Sequence, residues 1–574
     1  MNASSRPALM PRGRPWLANY PPGMPAEIDA SPYASLIELF EEGVRRFNAR
    51  PAYCFMDQQL TYQDVDAGAR HFAAWLQSLG LARGARVAIM LPNLPQYPVA
   101  LFGVLRGGYT VVNVNPLYTP RELEYQLKDS GAEVIVILEN FAHTLEQVIA
   151  RTSVRHVVVA AVGDMLGMVK GTAVNAVLRH VKRAVPAWKL PGHLRFNRVL
   201  ATGERLPFNR VRLGADDIAF LQYTGGTTGI SKGAVLTHGN MIANTLQSEA
   251  WYEPALRRIP PGEQPVKLGA LPLYHIFALT TVCLLGLRVG ALVVLIPNAR
   301  DFRSLINVLK LHPVHIFPAV NTLFNALMDH PEFMRVNWRR LKLSVGGGMA
   351  VQSAVAARWL EKTGCSIVEG YGLSETSPVV CANPTTSTAW NGTIGMPLPG
   401  TDVVLRNDDG NPVGFGVAGE ICVKGPQVMR GYWNRPDETR KSITPDGYFM
   451  TGDIGVLDER GYVKIVDRKK DMILVSGFNV YPNEIEEVMA ACPGVKEVAA
   501  VGVPDERAGE AVKIFVVRRD ENLDEHALRA WAKENLTGYK RPKEIVFRTE
   551  LPKTAVGKIL RRALRDEAEI RAPS

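Results

Sequence analysis

The 574-residue chain has few cysteines, and none of them are spaced as a metal-binding pair. The six are Cys54, Cys283, Cys365, Cys381, Cys422 and Cys492. Structural zinc sites usually draw on closely spaced pairs, and disulfide-stabilised secreted domains are dense in cysteine. The spacing therefore argues against a zinc site and favours free thiols, and we expect a protein of the reducing cytoplasm.

The sequence also lacks a clear membrane-spanning or signal segment. The N-terminal arm carries Arg6, Arg12 and Arg14 and five prolines by Pro22, with no apolar core of signal-peptide length. Residues 277–296 approach the length of a membrane span, but Arg288 lies near their middle. A charge there favours a buried helix followed by a strand at 291–296 over a span. We predict no membrane-spanning segment.

Acidic residues are missing from Met165 to Ala201, in a chain with a formal net charge of +10. Seven cations accumulate there among apolar side chains: Lys170, Arg179, Lys182, Arg183, Lys189, Arg195 and Arg198. This composition is typical either of a solvated helix face or of an interfacial helix on an anionic membrane. We expect no nucleic-acid partner, because no recognisable nucleic-acid motif accompanies the charge.

Helix and strand patterns alternate through the first part of the chain. Thr61 and Asp64 form a capping box before a helix that ends near Gly80, and a strand follows at 87–91. Further predicted elements are a helix at 98–105, strands at 111–114 and 134–138, and a helix beginning at Thr119. Such alternation predicts an α/β fold in which helices flank mostly parallel sheets.

Two smaller units are predicted after this large domain. Short strands among glycines and prolines at 397–467 indicate a β-rich subdomain. The charged string Asp467-Arg468-Lys469-Lys470-Asp471 is interpreted as a hinge. We therefore predict an N-terminal domain at 1–467 and a small, mobile α+β domain at 468–574.

The stretch Tyr223-Thr224-Gly225-Gly226-Thr227-Thr228-Gly229-Ile230-Ser231-Lys232-Gly233 has the composition of a phosphate-binding loop. Its glycines let backbone N–H groups approach an anion, and its hydroxyls and lysine add donors. A flexible surface loop is the alternative. The spacing differs from the common P-loop, because Gly233 follows Lys232 where a Ser or Thr would hold magnesium. A metal ligand must therefore come from elsewhere.

This stretch resembles the signature loop of the adenylate-forming enzymes, which include acyl-CoA synthetases, luciferases and peptide-synthetase adenylation domains. The resemblance implies that residues of the loop bind ATP, namely Tyr223, Thr224, Gly225, Gly226, Thr227, Thr228, Gly229 and Lys232. Tyr371-Gly372-Leu373-Ser374-Glu375-Thr376 is similar to a second motif of that family. It implies that Tyr371 stacks on adenine, that Ser374 lies at the nucleotide, and that Glu375 binds Mg²⁺.

Two later motifs strengthen the resemblance. Asp453, in Thr451-Gly452-Asp453, is predicted on a tight turn that suits it to accept ribose hydroxyls. Arg468 resembles the arginine that reaches the ribose and phosphate, and Lys470 matches the position about which the small domain turns. Without the other motifs, Asp453 would be interpreted as an ordinary loop aspartate. Arg468 and Lys470 would then be part of a solvent-exposed charged segment.

Lys558 lies on a glycine turn in Pro552-Lys553-Thr554-Ala555-Val556-Gly557-Lys558 and resembles the mobile catalytic lysine of the family. A carboxylate that attacks a triphosphate brings two anions together, so a fixed cation there lowers the barrier. His275 resembles the aromatic residue beside the substrate carboxylate, although a core histidine is the alternative. The glycines Gly346, Gly347 and Gly348 are interpreted as leaving space for an acyl group.

The segment from Ser476-Gly477-Phe478 to Glu486 resembles the one that lines the path of coenzyme A. The likeness to bacterial long-chain fatty-acid CoA ligases extends from Trp16 to Lys558 and includes the basic stretch. It implies fatty acid, ATP and CoA as substrates, and Mg²⁺. The basic stretch and its apolar residues, taken with a lipid substrate, predict peripheral contact with anionic membrane at the inner face of the cell membrane. A homodimer is left open. Ligases for medium-chain or aryl acids, luciferase-like or carrier-protein adenylating enzymes, and a non-catalytic lipid-binding scaffold are the alternatives.

Overall fold

The computed structural model describes residues 13–224, 231–476, 478–505, 507–554 and 557–570, without the side chains of 569 and 570. The strands of the first part are β1 (Pro51–Phe55), β2 (Gln58–Thr61), β3 (Arg86–Met90), β4 (Thr110–Asn113), β5 (Val134–Leu138), β6 (His156–Ala160), β7 (Leu194–Arg195), β8 (Ile218–Thr224), β9 (Lys232–Thr237), β10 (Val266–Gly269), β11 (Leu292–Leu295), β12 (Ile316–Ala319), β13 (Leu343–Gly346), β14 (Ile367–Gly372), β15 (Val379–Ala382) and β16 (Met396–Pro397). The later strands are β17 (Asp402–Arg406), β18 (Gly419–Lys424), β19 (Gly431–Tyr432), β20 (Phe449–Leu457), β21 (Val463–Arg468), β22 (Ile473–Val475), β23 (Phe478–Val480), β24 (Val495–Asp505), β25 (Gly509–Arg518) and β26 (Glu544–Arg548).

The helices flank these strands along the whole chain. They are α1 (Leu36–Phe47), α2 (Tyr62–Ser78), α3 (Gln96–Arg106), α4 (Pro120–Ser130), α5 (Ala142–Glu146), α6 (Met168–Ala176), α7 (Phe196–Glu204), α8 (His238–Leu256), α9 (Ile276–Ala278), α10 (Leu285–Arg288), α11 (Phe302–Leu311), α12 (Asn321–Met328), α13 (Ser353–Thr363), α14 (Pro436–Ser442), α15 (Pro482–Ala490), α16 (Glu525–Asn535) and α17 (Arg561–Ile570). Capping boxes begin α2 at Thr61 and α4 at Thr119. Both helices therefore begin where the sequence predicts.

Two large sheets form the N-terminal domain. The nine-stranded sheet has the order β16-β15-β14-β13-β12-β10-β11-β1-β2, and the eight-stranded sheet has the order β19-β9-β8-β4-β3-β5-β6-β7. Their inner pairs are parallel, whereas antiparallel pairs lie toward the edges. The predicted class, mostly parallel sheets flanked by helices, is confirmed.

Residues 276–296 fold inside the domain. Helices α9 and α10 are joined by a π-helical segment, Leu279–Leu284, and strand β11 follows. The Arg288 guanidinium pairs with Glu42 at 2.9 Å and with Glu249 at 2.8 Å. Within the described ranges, no helix is long and apolar enough to cross a membrane.

The C-terminal part has its own core. Strands β17, β18, β20 and β21 form an antiparallel sheet in the region predicted to be β-rich. Strands β22 to β26 form another sheet, which packs against α15 and α16 around a separate hydrophobic cluster. A small C-terminal domain is confirmed. The boundary at 467/468 stays a prediction; Arg468 is the last residue of β21.

The basic stretch contains α6, the π-helical segment Val177–Val181, strand β7 and the beginning of α7. Two arginines of the stretch pair with an acidic residue outside it: Glu139 lies 2.7 Å from Arg179 and 2.9 Å from Arg195. The Glu139 side chain is buried, so these two arginines hold the stretch onto the domain. Lys182 and Arg183 are exposed.

Candidate active site

A cavity of about 2050 Å³ lies between the large sheets and the C-terminal domain. It brings together the described residues that the motifs single out: Tyr223, Thr224, Lys232, His275, Gly347, Tyr371, Ser374, Glu375, Asp453, Arg468, Lys470 and Lys558. The other predicted residues, Gly225, Gly226, Thr227, Thr228, Gly229 and Gly477, lie outside the described residues. Motifs separated by more than 300 residues therefore share one cavity.

Tyr371, Asp453 and Arg468 form one group on this cavity. The Tyr371 hydroxyl donates to Asp453 Oδ2 at 2.6 Å, and Arg468 Nε lies 3.4 Å from Asp453 Oδ1. Asp453 and Arg468 face each other across β20 and β21. The expected tight turn at Asp453 is therefore wrong: the residue lies within a strand, and only Gly452, with φ of 74°, departs from extended backbone.

The Glu375 carboxylate is buried in the cavity wall, in a 3₁₀ turn at Ser374–Thr376. The Tyr432 hydroxyl donates to its Oε1 at 2.8 Å. Burial raises the pKa of Glu375, and the hydrogen bond and the nearby Lys232 oppose that rise. Among the described residues, no group of three or more His, Cys, Asp or Glu side chains could enclose a metal.

The glycine-rich stretch joins two antiparallel strands, and its described ends are held by residues distant in sequence. Thr224 faces Lys232 across β8 and β9. The Lys232 ammonium lies 2.8 Å from Glu438 Oε2 and 4.8 Å from the centre of the Tyr432 ring. The Tyr223 hydroxyl donates to Asp129 Oδ2 at 2.6 Å. None of these partners belongs to a motif, so nothing in the sequence singles them out.

Lys558 lies on a loop that contacts the N-terminal domain. The Thr322 hydroxyl donates to the Gly557 carbonyl at 3.0 Å, and Arg300 donates to the Thr554 carbonyl at 3.1 Å. The Lys558 N–H donates to Thr554 Oγ1 at 3.1 Å. Burial, together with the positive charges of Arg468 and Arg561, lowers the pKa of Lys558 to about 7. An anionic group beside Lys558 would therefore raise its pKa and stabilise the charged ammonium.

His275 caps α9, and its Nδ1 accepts the Phe277 N–H at 3.3 Å. Burial lowers the pKa of His275 to about 4, and the charge of Lys558 adds to the effect. The imidazole is thus neutral at pH 7. Because Nδ1 is an acceptor, Nε2 carries the ring proton.

The three consecutive glycines have different surroundings. A Cβ on Gly347 would lie 3.0 Å from Phe277 Cζ and 3.2 Å from the Gly370 carbonyl oxygen. A Cβ on Gly346 would meet Val351 and Ile367. Protein atoms occupy the Cβ positions of these two glycines, so close packing requires glycine there; Gly347 also lines the cavity, and space for an acyl group stays a prediction. Gly348, with φ of 75°, also lines the cavity.

The predicted hinge is held by a buried ion cluster. Arg561 donates to Glu486 at 2.9 and 2.6 Å, and its Nη1 lies 3.5 Å from Asp467 Oδ1. Lys470 follows β21 on an exposed turn at the cavity edge. The cluster therefore connects the hinge string to α15 and α17.

Residues 40–433 match the AMP-binding enzyme family, and residues 484–558 match its C-terminal domain. The chain belongs to the AMP-binding enzyme family. Relatives include a long-chain-fatty-acid–CoA ligase from Salmonella typhimurium, 54% identical over 96% of this chain and 98% of the relative. A ligase of the same name from Haemophilus influenzae is 52% identical over 97% and 99%. A feruloyl-CoA synthase from Amycolatopsis is 35% identical over 88% and 93%.

Solved structures of the family share the fold of both domains. An anthranilate CoA ligase in complex with anthranoyl-AMP superposes with a TM-score of 0.82 at 25% identity, over 95% of this chain and 99% of that one. ATP-bound MatB from Rhodopseudomonas palustris superposes with a TM-score of 0.79 at 28% identity, over 92% and 98%. The likeness therefore extends across the cavity between the domains.

Proposed function

We propose that the protein activates long-chain fatty acids to acyl-CoA through an acyl-adenylate, with release of AMP and pyrophosphate. The observation that carries the proposal is the presence of Lys558, Asp453 and His275 in one cavity, in a chain 54% identical to long-chain-fatty-acid–CoA ligases. ATP and CoA as substrates fit membership of the family.

The nucleotide is positioned by the motifs of the N-terminal domain. Asp453 accepts the ribose hydroxyls, with Arg468 beside it, and Tyr371 packs against adenine. Thr224 and Lys232 flank the phosphates, together with the glycine loop that lies outside the described residues. Lys232 then exchanges the Glu438 carboxylate for a phosphate.

In the first step, a carboxylate oxygen of the fatty acid bonds to the α-phosphorus, and the bond from that phosphorus to the bridging oxygen breaks. Pyrophosphate leaves with the electron pair. Lys558 offsets the repulsion between the two anions, and its pKa rises as they approach. His275 donates from Nε2 to the carboxylate without adding charge. The CoA thiolate then attacks the acyl carbon, and AMP leaves.

The residues present fit magnesium that arrives with ATP. Mg²⁺ prefers oxygen ligands and is commonly bound through one or two carboxylates plus substrate phosphates. Glu375 supplies one carboxylate, oriented by the Tyr432 hydroxyl. Bound there, Mg²⁺ would neutralise phosphate charge.

The second step requires a different pose of the C-terminal domain. We place the domain boundary at 467/468 and the pivot at Lys470. Rotation about this point withdraws Lys558 and brings the segment around Gly477 to the thiol. Gly477→Leu should then block thioester formation while sparing adenylate formation.

The exposed part of the basic stretch is proposed to contact anionic membrane at the cytoplasmic face. Met168, Val169 and Val181 are 86, 84 and 76% exposed. Lys182 and Arg183, which follow Val181 in the chain, are exposed as well. Together these five residues are called the basic-apolar patch. Exposed apolar and cationic side chains in one segment are typical of peripheral membrane contacts, where a fatty acid is concentrated.

The function is tested by AMP and acyl-CoA release from purified protein with a panel of acids. Each buried CH₂ contributes roughly 0.8 kcal/mol, so palmitate or oleate should exceed octanoate in kcat/KM. Preference for acetate or octanoate would contradict the long-chain assignment. Because of the feruloyl-CoA synthase relative, the panel includes an aryl acid. Adenylate formation without acyl-CoA would favour transfer to a carrier protein.

A further inference from the structure

A second cavity of about 460 Å³ lies at the beginning of β13 and β14, whereas the active site lies where these strands end. It is called the distal pocket, and its lining includes Leu343, the first residue of β13, and Ser366, which precedes β14. Val368 and Thr385 line both the distal pocket and the large cavity. These two residues therefore form the boundary between the two spaces.

One face of β13 and β14 connects the large cavity to the distal pocket. Because side chains alternate between the two faces of a strand, Leu343, Val345 and Gly347 lie on one face. Leu343 lines the distal pocket, and the other two line the large cavity. Val345 pairs with Val368 across the two strands. At roughly 3.3 Å per residue, this face extends about 13 Å from Gly347 to Leu343, and it leads from the active site to the boundary.

The same face is apolar and begins beside His275. Val345 and Val368 belong to one hydrophobic cluster, and the Phe277 ring packs against it. The Phe277 N–H donates to His275 Nδ1 at 3.3 Å, and a Cβ on Gly347 would lie 3.0 Å from the Phe277 ring. A fatty acid whose carboxylate lies at His275 therefore has a continuous apolar surface along which its chain can lie.

The nucleotide-binding group lies on the other face of β14. Tyr371 follows Val368 by three positions, and an odd spacing places two side chains on opposite faces of a strand. Tyr371 packs in a different hydrophobic cluster, that of the β-rich subdomain, and its hydroxyl donates to Asp453. The acyl chain and the nucleotide can therefore occupy opposite sides of this strand.

Hydrogen bonds hold the boundary in place. The Thr385 hydroxyl donates to the Trp251 carbonyl at 3.1 Å, and Arg258 donates to the Thr385 carbonyl at 2.9 Å. Arg258 also donates to the carbonyl of Lys342, the residue before β13. Val368 and Thr385 are both buried. The boundary is therefore a fixed wall at the end of the apolar face.

We propose that Val368, together with Thr385, ends the space for the acyl chain and thereby sets the longest fatty acid that is activated efficiently. This inference rests on the proposed function and narrows its substrate class. The carboxylate lies at His275, the chain follows the face of Val345, and the methyl end meets Val368. Each further methylene buried before the wall should raise kcat/KM about fourfold, and acids too long for the space should lose this gain.

The test is the profile of kcat/KM for AMP release over saturated acids from octanoate to lignocerate. Val368→Ala opens the wall toward the distal pocket, so the preferred acid should be longer than in wild type. Val368→Phe fills the end of the space, so the preferred acid should be shorter, and kcat/KM for palmitate should fall at least about tenfold relative to that for laurate. KM for ATP should stay unchanged in both variants, because the nucleotide lies on the other face of β14.

A matched control truncates a valine that lines neither of the two cavities. Val314→Ala removes the same atoms from a buried valine of the same domain and should keep the wild-type profile. Thermal unfolding reports whether each variant folds. If Val368→Phe does not fold, Val368→Ile adds a single methylene and should shift the profile toward shorter acids by a smaller step.

A wild-type profile in Val368→Ala and in the folded larger variant would overturn the proposal. A shift toward longer acids in Val314→Ala would overturn it as well, because the loss of any buried valine would then suffice. Palmitate turnover by wild type tests the proposed function separately, and its absence would overturn both.

Discussion

Charge compensation at Lys558 is the residue-scale basis of the proposed chemistry. Lys558→Ala should slow adenylate formation roughly 100- to 1000-fold, the range seen when one group that stabilises developing charge is removed. Thioester formation from supplied acyl-adenylate should be spared. Pyrophosphate release and acyl-CoA formation, measured separately, check this.

Lys553→Ala is the matched control for that variant. Its ammonium lies on the same loop but is held by Glu497 at 2.6 Å. It should retain most of the adenylation rate. Equal loss of rate in both half-reactions of Lys558→Ala would contradict a role of Lys558 specific to adenylate formation.

A single carboxylate is predicted to bind magnesium. Glu375→Gln should weaken ATP turnover roughly 10- to 100-fold and raise the Mg²⁺ concentration required, because the amide loses the charge that attracts the cation. A Mg²⁺ titration of pyrophosphate release measures both. Glu369→Gln alters another buried carboxylate of the same cavity and should leave the Mg²⁺ requirement unchanged. An unaltered Mg²⁺ dependence in Glu375→Gln would refute the assignment.

The buried Lys267 predicts a pH-dependent stability difference. Burial lowers its pKa from 10.5 to about 7. The unfolded chain therefore binds the proton more tightly, and the cost to folding is largest below pH 7 and vanishes near pH 10.5. Lys267→Met should be more stable than wild type by up to about 5 kcal/mol below pH 7.

Denaturant unfolding of both proteins at pH 6.5 and 9.5 measures this difference. The gap between variant and wild type should shrink as the pH rises. Lys533→Met, at an exposed lysine, should show no such trend. A gap of the same size at both pH values would show that the buried charge of Lys267 does not cause the stability difference.

At the scale of elements, α12 provides the docking face for the C-terminal domain. Thr322 contacts Gly557, and Asn325 donates to the Lys496 carbonyl at 3.1 Å. Glu487 accepts the Ser353 N–H at the start of α13 at 3.2 Å. These contacts hold Lys558 at the cavity and must break if the domain rotates.

Thr322→Val should therefore slow adenylate formation roughly 3- to 10-fold, the usual effect of one lost hydrogen bond, without slowing the thioester step. Single-turnover rates of the two half-reactions check this. Thr363→Val is the control, since its hydroxyl donates to the Trp359 carbonyl within α13. A slower thioester step in Thr322→Val would argue against α12 as a docking face specific to adenylation.

At the scale of the whole molecule, the basic-apolar patch predicts salt-sensitive membrane binding. Each cation near an anionic surface contributes about 1 kcal/mol, and salt screens that attraction. Lys182→Glu with Arg183→Glu should lower binding to anionic vesicles at least about tenfold at low salt. Co-sedimentation at low and high salt measures it.

Arg70→Glu with Arg303→Glu changes the net charge equally at exposed positions on α2 and α11 and should bind like wild type. Arg179 is avoided because its reversal would break the pair with buried Glu139. Identical sedimentation of the patch variant and wild type would show that the patch is not the membrane contact.

The sequence by itself determined the fold class, many element positions and the nucleotide motifs. Thr61 and Thr119 begin helices as predicted, because a capping box is a contact between residues three positions apart. Arg288 argued against a membrane span for a similarly local reason, because its charge lies within the apolar run itself. The candidate site residues could be identified because each motif is a short, contiguous stretch of sequence.

Only the tertiary structure decided how those residues are partnered. Lys232 pairs with Glu438, 206 positions away, and Tyr371 bonds to Asp453, 82 positions away. It also placed Asp453 in a strand. Periodicity and capping report contacts within a few residues, whereas burial and pairing depend on which strands become neighbours. For that reason Glu438 and Asp129, the partners of Lys232 and Tyr223, carried no signal in the sequence.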